Sequence, residues 1–387
     1  MIRIAIVGLG GISPAHIKSY LAFPKRCRIV ALCDIVPEKA QKRAEEYHLS
    51  CDIVDDHHQL LSRTDIDLVD ICTPPYVHAE IAINCLRAGK NVVCEKPMAA
   101  SLEECDRVIA AAKESGRLFS SIAQNRFRTP IAAFKRTLDS GLAGEMKHFT
   151  VDSFWWRGHS YYDMWWRGTW EKEGGGCTLN HAVHHIDMLG WMLGEPDEIT
   201  SVMTNVSHDN AEVEDLSVSV MRFGRALATV TASVVHHGET QTLTAQCADA
   251  SIAVPFQTHA SISQPNGFPL PNPALEEKLT KEYSSQPELA HEGHEGQIDN
   301  ILTCLETGSL TPAVTGVDGR RTIEIITGIY KAGATHLPVK LPLQKDDPFY
   351  TAKGIRQNAP HYYEKATSLS DLGDGAITVE ANYGKKA

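Results

Sequence analysis

The chain has 387 residues, 43% hydrophobic and 22% charged, a size and composition that suit two folded domains and exclude a disordered chain. Lys and Arg number 37 against 48 Asp and Glu, a net charge of −11 with neutral histidines. That balance argues against a nucleic acid or an anionic membrane surface as partner, but leaves room for an anionic small ligand at a local site. No apolar run approaches membrane-spanning length, and the N-terminus, Met1-Ile2-Arg3-Ile4-Ala5-Ile6-Val7-Gly8, reads as a strand entering a glycine turn rather than a signal peptide. Ten cysteines form no C-x-x-C pair, so buried free thiols and a cytoplasmic location are expected.

In chain order, the first third alternates short apolar runs with amphipathic stretches. Ile2–Val7, Arg28–Cys33, Asp67–Cys72, Asn91–Cys94 and Leu118–Ile122 read as strands. Pro14–Phe23, Pro37–Tyr47, Val77–Ala88 and Leu102–Ser115 read as helices. The alternation predicts a parallel sheet covered on both faces. Ser13 reads as a capping residue before Pro14, Pro37 marks a second helix start, and Gly89 and Gly116 mark helix ends. After about residue 124 the pattern turns strand-rich, with strands expected at Lys147–Trp156, Glu198–Val206, Leu216–Phe223, Ala226–Val235, Gln241–Ala248 and Ser251–Pro255. These predict a second, largely antiparallel sheet. Single helices are expected near Thr178–Leu193, His291–Glu306 and Asp318–Ala332. Gln257–Pro273, rich in Pro, Ser and Asn, reads as a loop, and the segment after Leu343 as an arm on the body or on a partner subunit.

Gly8-Leu9-Gly10-Gly11-Ile12-Ser13 lies between the first strand and the first helix. Gly8 permits a tight turn, and Gly10 lets backbone approach a pyrophosphate at the positive end of the helix. Ser13 replaces the third glycine of the usual fingerprint. A G-x-G alone is weak, but here it follows a strand and opens a strand–helix alternation, which predicts dinucleotide binding. Asp34 ends the second strand, where a carboxylate accepts hydrogen bonds from an adenosine 2′-hydroxyl and repels a 2′-phosphate. No Arg directly follows it, which favours NAD over NADP. The plainer role for Asp34 is to cap a turn.

Further motifs follow in order: Cys72-Thr73-Pro74-Pro75 with His78; Glu95-Lys96-Pro97; Gln124-Asn125-Arg126-Phe127; Trp166-Arg167-Gly168-Thr169-Trp170; Gly174-Gly175-Gly176; and Asn180-His181-Ala182-Val183-His184-His185-Ile186-Asp187. Together they resemble the glucose–fructose oxidoreductase / inositol dehydrogenase / rhizopine catabolism (Gfo/Idh/MocA) family, to about residue 335. The resemblance implies an α/β protein: an N-terminal Rossmann dinucleotide-binding domain (1–124), a C-terminal α/β domain with a large, mostly antiparallel open sheet (125–342) for substrate and subunit contacts, and an arm (343–387). It implies NAD(P)-dependent chemistry on a sugar, cyclitol or polyol, and a homodimer or homotetramer. It also implies that Thr73, Pro74, Pro75, His78, Glu95, Lys96, Gln124, Trp166 and Arg167 lie at the cofactor, beside Gly8, Gly10, Gly11, Ile12, Ser13 and Asp34. Lys96 matches the family's catalytic lysine and His184 the histidine of its D-x-x-x-H pattern. The aspartate of that pattern is Asn180 here, a departure.

Oxidising a carbinol needs a base for the hydroxyl proton and a cation or donor for the developing alkoxide. Lys96 follows a parallel strand, at the sheet end where ligands bind. In one helix Asn180 and His184 would share a face, making His184 the expected base, Lys96 the polarising cation and Asn180 a group that orients the substrate hydroxyl. The reverse assignment of Lys96 and His184 stays open.

Two other clusters bear on the reading. His181, His184, His185 and Asp187, and separately His291-Glu292-Gly293-His294-Glu295, contain metal-ligand types. Helical spacing splits the first over two faces, and the second marks a helix start, so no metal is expected. Five of the six tryptophans fall within Phe154–Trp170, with Tyr161 and Tyr162 between them. Such flat faces suit a pyranose ring, or a domain-junction core. The expected substrate residues are Lys96, Arg126, Trp155, Tyr161, Tyr162, Asn180, His181 and His184. The expected function is NAD-dependent oxidation or reduction at a secondary hydroxyl of a sugar or glycoside, C3 of a pyranose being the favoured position from the resemblance. The alternatives are a cyclitol dehydrogenase, a redox-neutral enzyme that retains NAD, and a non-catalytic sensor of NAD and sugar.

Overall fold

Six strands of the first third pair in parallel in the computed structural model, which describes residues 1–369 and Tyr383. The elements run β1 (Ile2–Val7), α1 (Ser13–Leu21), β2 (Cys27–Cys33), α2 (Pro37–Glu46), β3 (Asp52–Val54), α3 (His58–Leu61), β4 (Leu68–Ile71), α4 (His78–Arg87), β5 (Asn91–Cys94), α5 (Leu102–Ser115) and β6 (Phe119–Ser121). The strand order is β3-β2-β1-β4-β5-β6. Chain direction across the sheet reverses between β1 and β4, and the crevice at their C-terminal ends is where such sheets bind ligands. β1 and β4 are buried on both faces, which explains their unbroken apolar runs. β3 and α3 escape the sequence reading because they are short, and β3 is an edge strand paired only with β2. Ser13 is not the cap expected. Ile12 is, without a side-chain bond, and Ser13 begins the helix with its hydroxyl donating back to Gly10 O at 2.8 Å.

The chain continues through α6 (Thr129–Asp139), β7 (Met146–Phe154), α7 (Cys177–Asn180), α8 (Val183–Leu193), β8 (Glu198–Thr204), β9 (Leu216–Phe223), β10 (Ala226–Ser233), β11 (Gln241–Cys247), β12 (Ala250–Val254), β13 (Gln257–Ser263) and β14 (Pro269–Pro271). It ends in α9 (Pro273–Ser284), α10 (Gly293–Thr307), α11 (Gly316–Thr335), β15 (Val339–Lys340) and α12 (Ala352–Asn358). The second sheet has the order β14-β13-β12-β11-β7-β10-β9-β8-β15. All its pairs are antiparallel except β7 with β10. In β8 and β9 buried and exposed residues alternate; α8 and α11 cover one face, while Val202, Val218 and Val220 stand exposed on the strands.

Two further expectations need correction. Gln257–Pro273 is not a loop; it holds β13, β14 and the start of α9. Only Ala260 of β13 is buried, so this edge carries no apolar alternation to read. The single helix near Thr178–Leu193 is two pieces, because the Cys177 carbonyl takes both the His181 and Ala182 amides in a turn. α10 returns to the first sheet: Ile298, Ile301 and Leu302 share a core with Ile4, Ile6 and Leu32, and Arg26 pairs with Asp299 and Glu306. The arm packs on its own chain as far as it is described, with the Trp170 indole donating to Pro360 O at 3.0 Å and the Tyr362 hydroxyl to Met203 O at 2.7 Å. Its remainder lies outside the described residues. All ten cysteines are unpaired.

Candidate active site

The loop after β1 shows why glycine is needed first. Gly8 has φ +94°, and a Cβ there would stand 2.7 Å from the Cys72 carbonyl carbon, so the turn presses against the end of β4. Gly10 and Gly11 are exposed, and a Cβ at Gly10 would meet nothing within 4 Å, so this backbone faces open space at the start of α1. Asp34 accepts from Leu9 N at 2.7 Å and Val36 N at 2.9 Å; it ties the glycine loop to the end of β2. Thr73 Oγ1 and Gln124 Oε1 are buried with no hydrogen-bond partner among the described residues. Pro74 and Pro75 turn the chain into α4. His78 does not face the crevice freely: its ring nitrogens bridge Pro97 O at 2.8 Å and Thr73 O at 2.7 Å, holding two loops together.

Lys96 follows β5, half-buried. Its ammonium donates to Asn180 O at 3.2 Å, so the end of the parallel sheet meets the end of α7. Burial pulls the Lys96 pKa down from 10.5; Glu95 opposes this, while Arg167 and Arg157 add to it. Asn180 turns its side chain inward, donating to Gly175 O at 2.9 Å and Gly176 O at 3.3 Å. His184, second residue of α8, is half-buried. Burial first, then the Lys96 charge, hold it well below 6.5, which keeps the imidazole neutral. His181 and His185 are buried, and each leaves Nδ1 without a partner among the described residues. Burial lowers His185 to about 3. The hydroxyl of Tyr383, beyond the continuous part of the arm, stands 3.2 Å from His185 Nε2 and accepts from Asn125 Nδ2 at 3.0 Å.

Beneath Lys96 lies a buried network that the sequence reading missed. His16 on α1 donates from Nδ1 to Asp70 at 2.7 Å and from Nε2 to Glu95 at 2.8 Å. His294 Nε2 reaches the same Glu95 oxygen at 3.2 Å, and the other oxygen accepts the Lys96 amide at 3.0 Å. Burial favours a neutral Glu95, but the two histidines overcome it and hold the carboxyl well below 4.5. The side-chain donors of His16, Glu95 and His294 are grouped tightly enough to hold an ion, yet both His16 nitrogens already serve carboxylates, the pattern of a hydrogen-bonded ion pair. The available signal was a histidine on the buried face of an otherwise apolar helix. His294, read in sequence beside His291, belongs to this network, while His291 pairs with Glu295.

The aromatic stretch divides. Trp155 is buried, its ring centroid 6.0 Å from His181. Trp156 is exposed, stacks on His237 at 5.7 Å and helps line a cleft of about 570 Å³ with Arg157, Tyr161 and Glu239. Tyr161 lies 5.5 Å from His181, and the Arg167 guanidinium packs between Tyr161 and Trp166 at 4.0 and 4.2 Å. Tyr162 and Trp170 turn into the core, Trp170 edge-on to Tyr330 at 5.0 Å. Arg126 is not brought to the cleft: it makes a two-pronged pair with Asp187 at 2.8 and 2.7 Å and reaches Asp318 at 3.3 Å. Gly176 caps α7 where any side chain would strike the Glu214 carbonyl. The buried Glu214 carboxyl accepts the Gly176 and Thr178 amides, each at 3.0 Å.

Two sequence models match consecutive stretches of the chain: an oxidoreductase-family NAD-binding Rossmann fold over residues 2–122, and the C-terminal domain of the same family over residues 131–253. The chain belongs to the Gfo/Idh/MocA oxidoreductase family. Among curated relatives, 2,7-anhydro-N-acetylneuraminate hydratase of Mediterraneibacter gnavus is 32% identical over 212 residues, 54% of each chain. Inositol 2-dehydrogenase of Salmonella typhimurium is 27% identical over 200 residues, 50% of this chain and 55% of that one. The chain thus spans about half the length of the curated relatives it matches. Among solved structures, the WlbA dehydrogenase of Bordetella pertussis, in complex with NADH and UDP-GlcNAcA, superposes with a TM-score of 0.75 at 26% identity, over 89% of this chain and 99% of that one.

The N-terminal unit of this Gfo/Idh/MocA protein is therefore an NAD-binding Rossmann domain, and its own residues fit the dinucleotide. The bare backbone at Gly10 suits a pyrophosphate at the start of α1. The unpartnered Thr73 and Gln124 oxygens offer polar contacts along the crevice. Among the described residues no helix is long and apolar enough to cross a membrane.

Proposed function

We propose that the protein is an NAD-dependent oxidoreductase acting on a secondary hydroxyl or ketone of a sugar or glycoside. The reading is carried by Lys96, half-buried at the mouth of the Rossmann crevice and bonded to Asn180 beside the neutral His184. NAD, when bound in the Rossmann crevice, would supply the hydride acceptor for the carbinol carbon. The chain supplies the rest. His184 takes the hydroxyl proton, and its burial keeps it free to do so at neutral pH. Lys96, cationic, stabilises the oxygen as negative charge develops on it. Asn180 holds the glycine turn that sets α7 against Lys96. Tyr161, and Trp156 on the same cleft, provide flat apolar walls for a sugar ring.

A specific comparison favours a second reading. One relative is a hydratase of an anhydro sugar, and a hydration has no net redox change, so the same residues also suit a cycle in which the substrate would be oxidised and then reduced again on retained NAD, the cofactor being reduced and restored within one turnover. The inositol dehydrogenase relative makes cyclitols the other substrate class. Absorbance at 340 nm, with NAD and a panel of sugars, glycosides and cyclitols, separates these readings. NADH appearing with one substrate establishes the dehydrogenase. Product formed without NADH, on protein that carries NAD through purification, establishes the redox-neutral cycle. A panel without product of either kind counts against both.

We also propose that the open face of the second sheet meets another copy of the chain. Val202, Val218 and Val220 form an exposed apolar group there, larger than isolated surface residues require. Light scattering on the Val218→Lys variant, compared with the unmodified protein, tests it: a shift to monomer is expected, and an unmodified protein that is itself monomeric refutes it.

A further inference from the structure

Arg157 and Arg167 both pack on Tyr161, their guanidinium carbons 5.7 and 4.0 Å from its ring. Arg157 donates from Nη1 to Trp156 O at 2.6 Å and Glu239 at 2.5 Å. Arg167 donates from Nη1 to the Tyr161 hydroxyl and to Glu173 at 3.2 Å. Arg157 also hydrogen-bonds the Tyr161 side chain, while Nε and Nη2 of Arg167 make no hydrogen bond among the described residues. Neither side chain is sealed from solvent, at 17% and 22% exposed. Two guanidinium groups thus face one tyrosine, the Arg167 fork open at Nε and Nη2, and Arg157 and Tyr161 line the cleft of about 570 Å³.

The site asks for an anion in three ways. A guanidinium fork matches a carboxylate with two parallel hydrogen bonds. His181, buried and 5.5 Å from Tyr161, leaves Nδ1 unpartnered. The local countercharges are weak: Glu239 is a third exposed, and burial, opposed by Arg167, pushes Glu173 up to about 7, leaving it partly neutral at neutral pH. The fields of both arginines reach Lys96 and His181, so the anion-binding groups sit close to the reacting end of the site. A carboxyl group carried directly on a sugar ring is compact enough for that placement.

We propose that the substrate is a carboxylated sugar, an acid of the uronic or sialic type, whose carboxylate is bound by Arg157 and Arg167 beside Tyr161. The proposal rests on the sugar-oxidoreductase reading, and its test needs no turnover. Calorimetric titration of NADH-saturated protein is run with matched pairs: D-glucuronate and D-glucose, D-galacturonate and D-galactose, N-acetylneuraminate and N-acetylmannosamine. D-glucose 6-phosphate is a further ligand. At least one acid is expected to bind tenfold or more tightly than its neutral partner. Arg157→Gln and Arg167→Gln are each expected to cut that preference below about threefold, with native circular dichroism. Arg157→Lys, which keeps the charge beside Glu239 but not the fork, is expected to restore part of it. The proposal is overturned if no acid outbinds its partner, if the Gln variants weaken acid and neutral ligands alike, or if glucose 6-phosphate outbinds every acid. Acid binding without NADH formation on any substrate would sink the dehydrogenase reading and leave this one standing.

Discussion

Lys96 bonds to the backbone carbonyl of Asn180, 3.2 Å away, not to its side chain, whose amide instead holds the carbonyls of Gly175 and Gly176. Replacing either residue therefore removes different things. Lys96→Ala deletes the group placed to stabilise the alkoxide, and kcat is expected to fall by about 10²–10⁴-fold with NADH affinity nearly unchanged. Asn180→Ala keeps the carbonyl that Lys96 uses. It leaves two turn carbonyls with one donor fewer, at a cost of about 1–3 kcal/mol of stability, and a smaller loss of kcat. Steady-state rates and urea unfolding of both variants decide the order; a larger kcat loss for Asn180→Ala would refute it.

The pH dependence of kcat/KM carries two signs. Burial, reinforced by Lys96, depresses His184, so the neutral base persists well into acid and is lost only as pH falls through a value below 6.5. Burial also depresses Lys96, so its cation is lost as pH rises through a value below 10.5. A bell with an acid limb under 6.5 and an alkaline limb under 10.5 is expected. His184→Ala should remove the acid limb, and Lys96→Arg should push the alkaline limb upward, since a guanidinium does not titrate there. An unchanged acid limb in His184→Ala would assign the base elsewhere.

How much of this was legible in the sequence follows from what each signal depends on. β1 and β5 match their expected bounds because strands buried on both faces read as continuous apolar runs. β13 was invisible because an edge strand with one buried residue has no face to repeat. Lys96, Asn180 and His184 could be picked out because they sit in motifs at fixed places in the strand–helix alternation. Arg126 looked like a substrate residue, yet its partners Asp187 and Asp318 lie 61 and 192 residues away, and only the tertiary fold decides which charges meet. His16 and Asp70 went unread for the same reason. Each is one polar residue inside an apolar element, and its meaning is its partner.

Asp34 offers a test of cofactor choice. One carboxylate oxygen accepts Leu9 N and the other Val36 N, which fixes a negative charge at the end of β2. A 2′-phosphate would meet that charge, so NADH should bind more tightly than NADPH. Asp34→Asn removes the charge and makes one of the two amide bonds impossible without rearrangement. Fluorescence titration of the variant should show NADH affinity falling and NADPH affinity holding or rising, shrinking the ratio by tenfold or more. Equal losses for both cofactors would leave Asp34 as a turn cap alone.

The His16 network sets a stability prediction with a defined pH course. Burial works against the His16 charge, but Asp70 outweighs it and the pKa is raised well above 6.5. A raised folded pKa contributes stability that is complete below the unfolded value near 6.5 and is lost as pH rises through the folded one. Glu95, held well below 4.5, contributes stability that is complete above that value and is lost as pH falls through its depressed one. Both are in full force between about 4.5 and 6.5. His16→Leu leaves Asp70 and Glu95 buried without their shared cation, a loss of about 3–5 kcal/mol. Urea unfolding from pH 5 to 9 should show the largest deficit near pH 6 and a smaller one toward pH 9. Because the Glu95 oxygen not bonded to His16 accepts the Lys96 amide, the same variant should also lower kcat more than it raises KM. A deficit that does not change with pH would mean that His16 acts by packing, as a neutral ring, and not as the cation between two carboxylates.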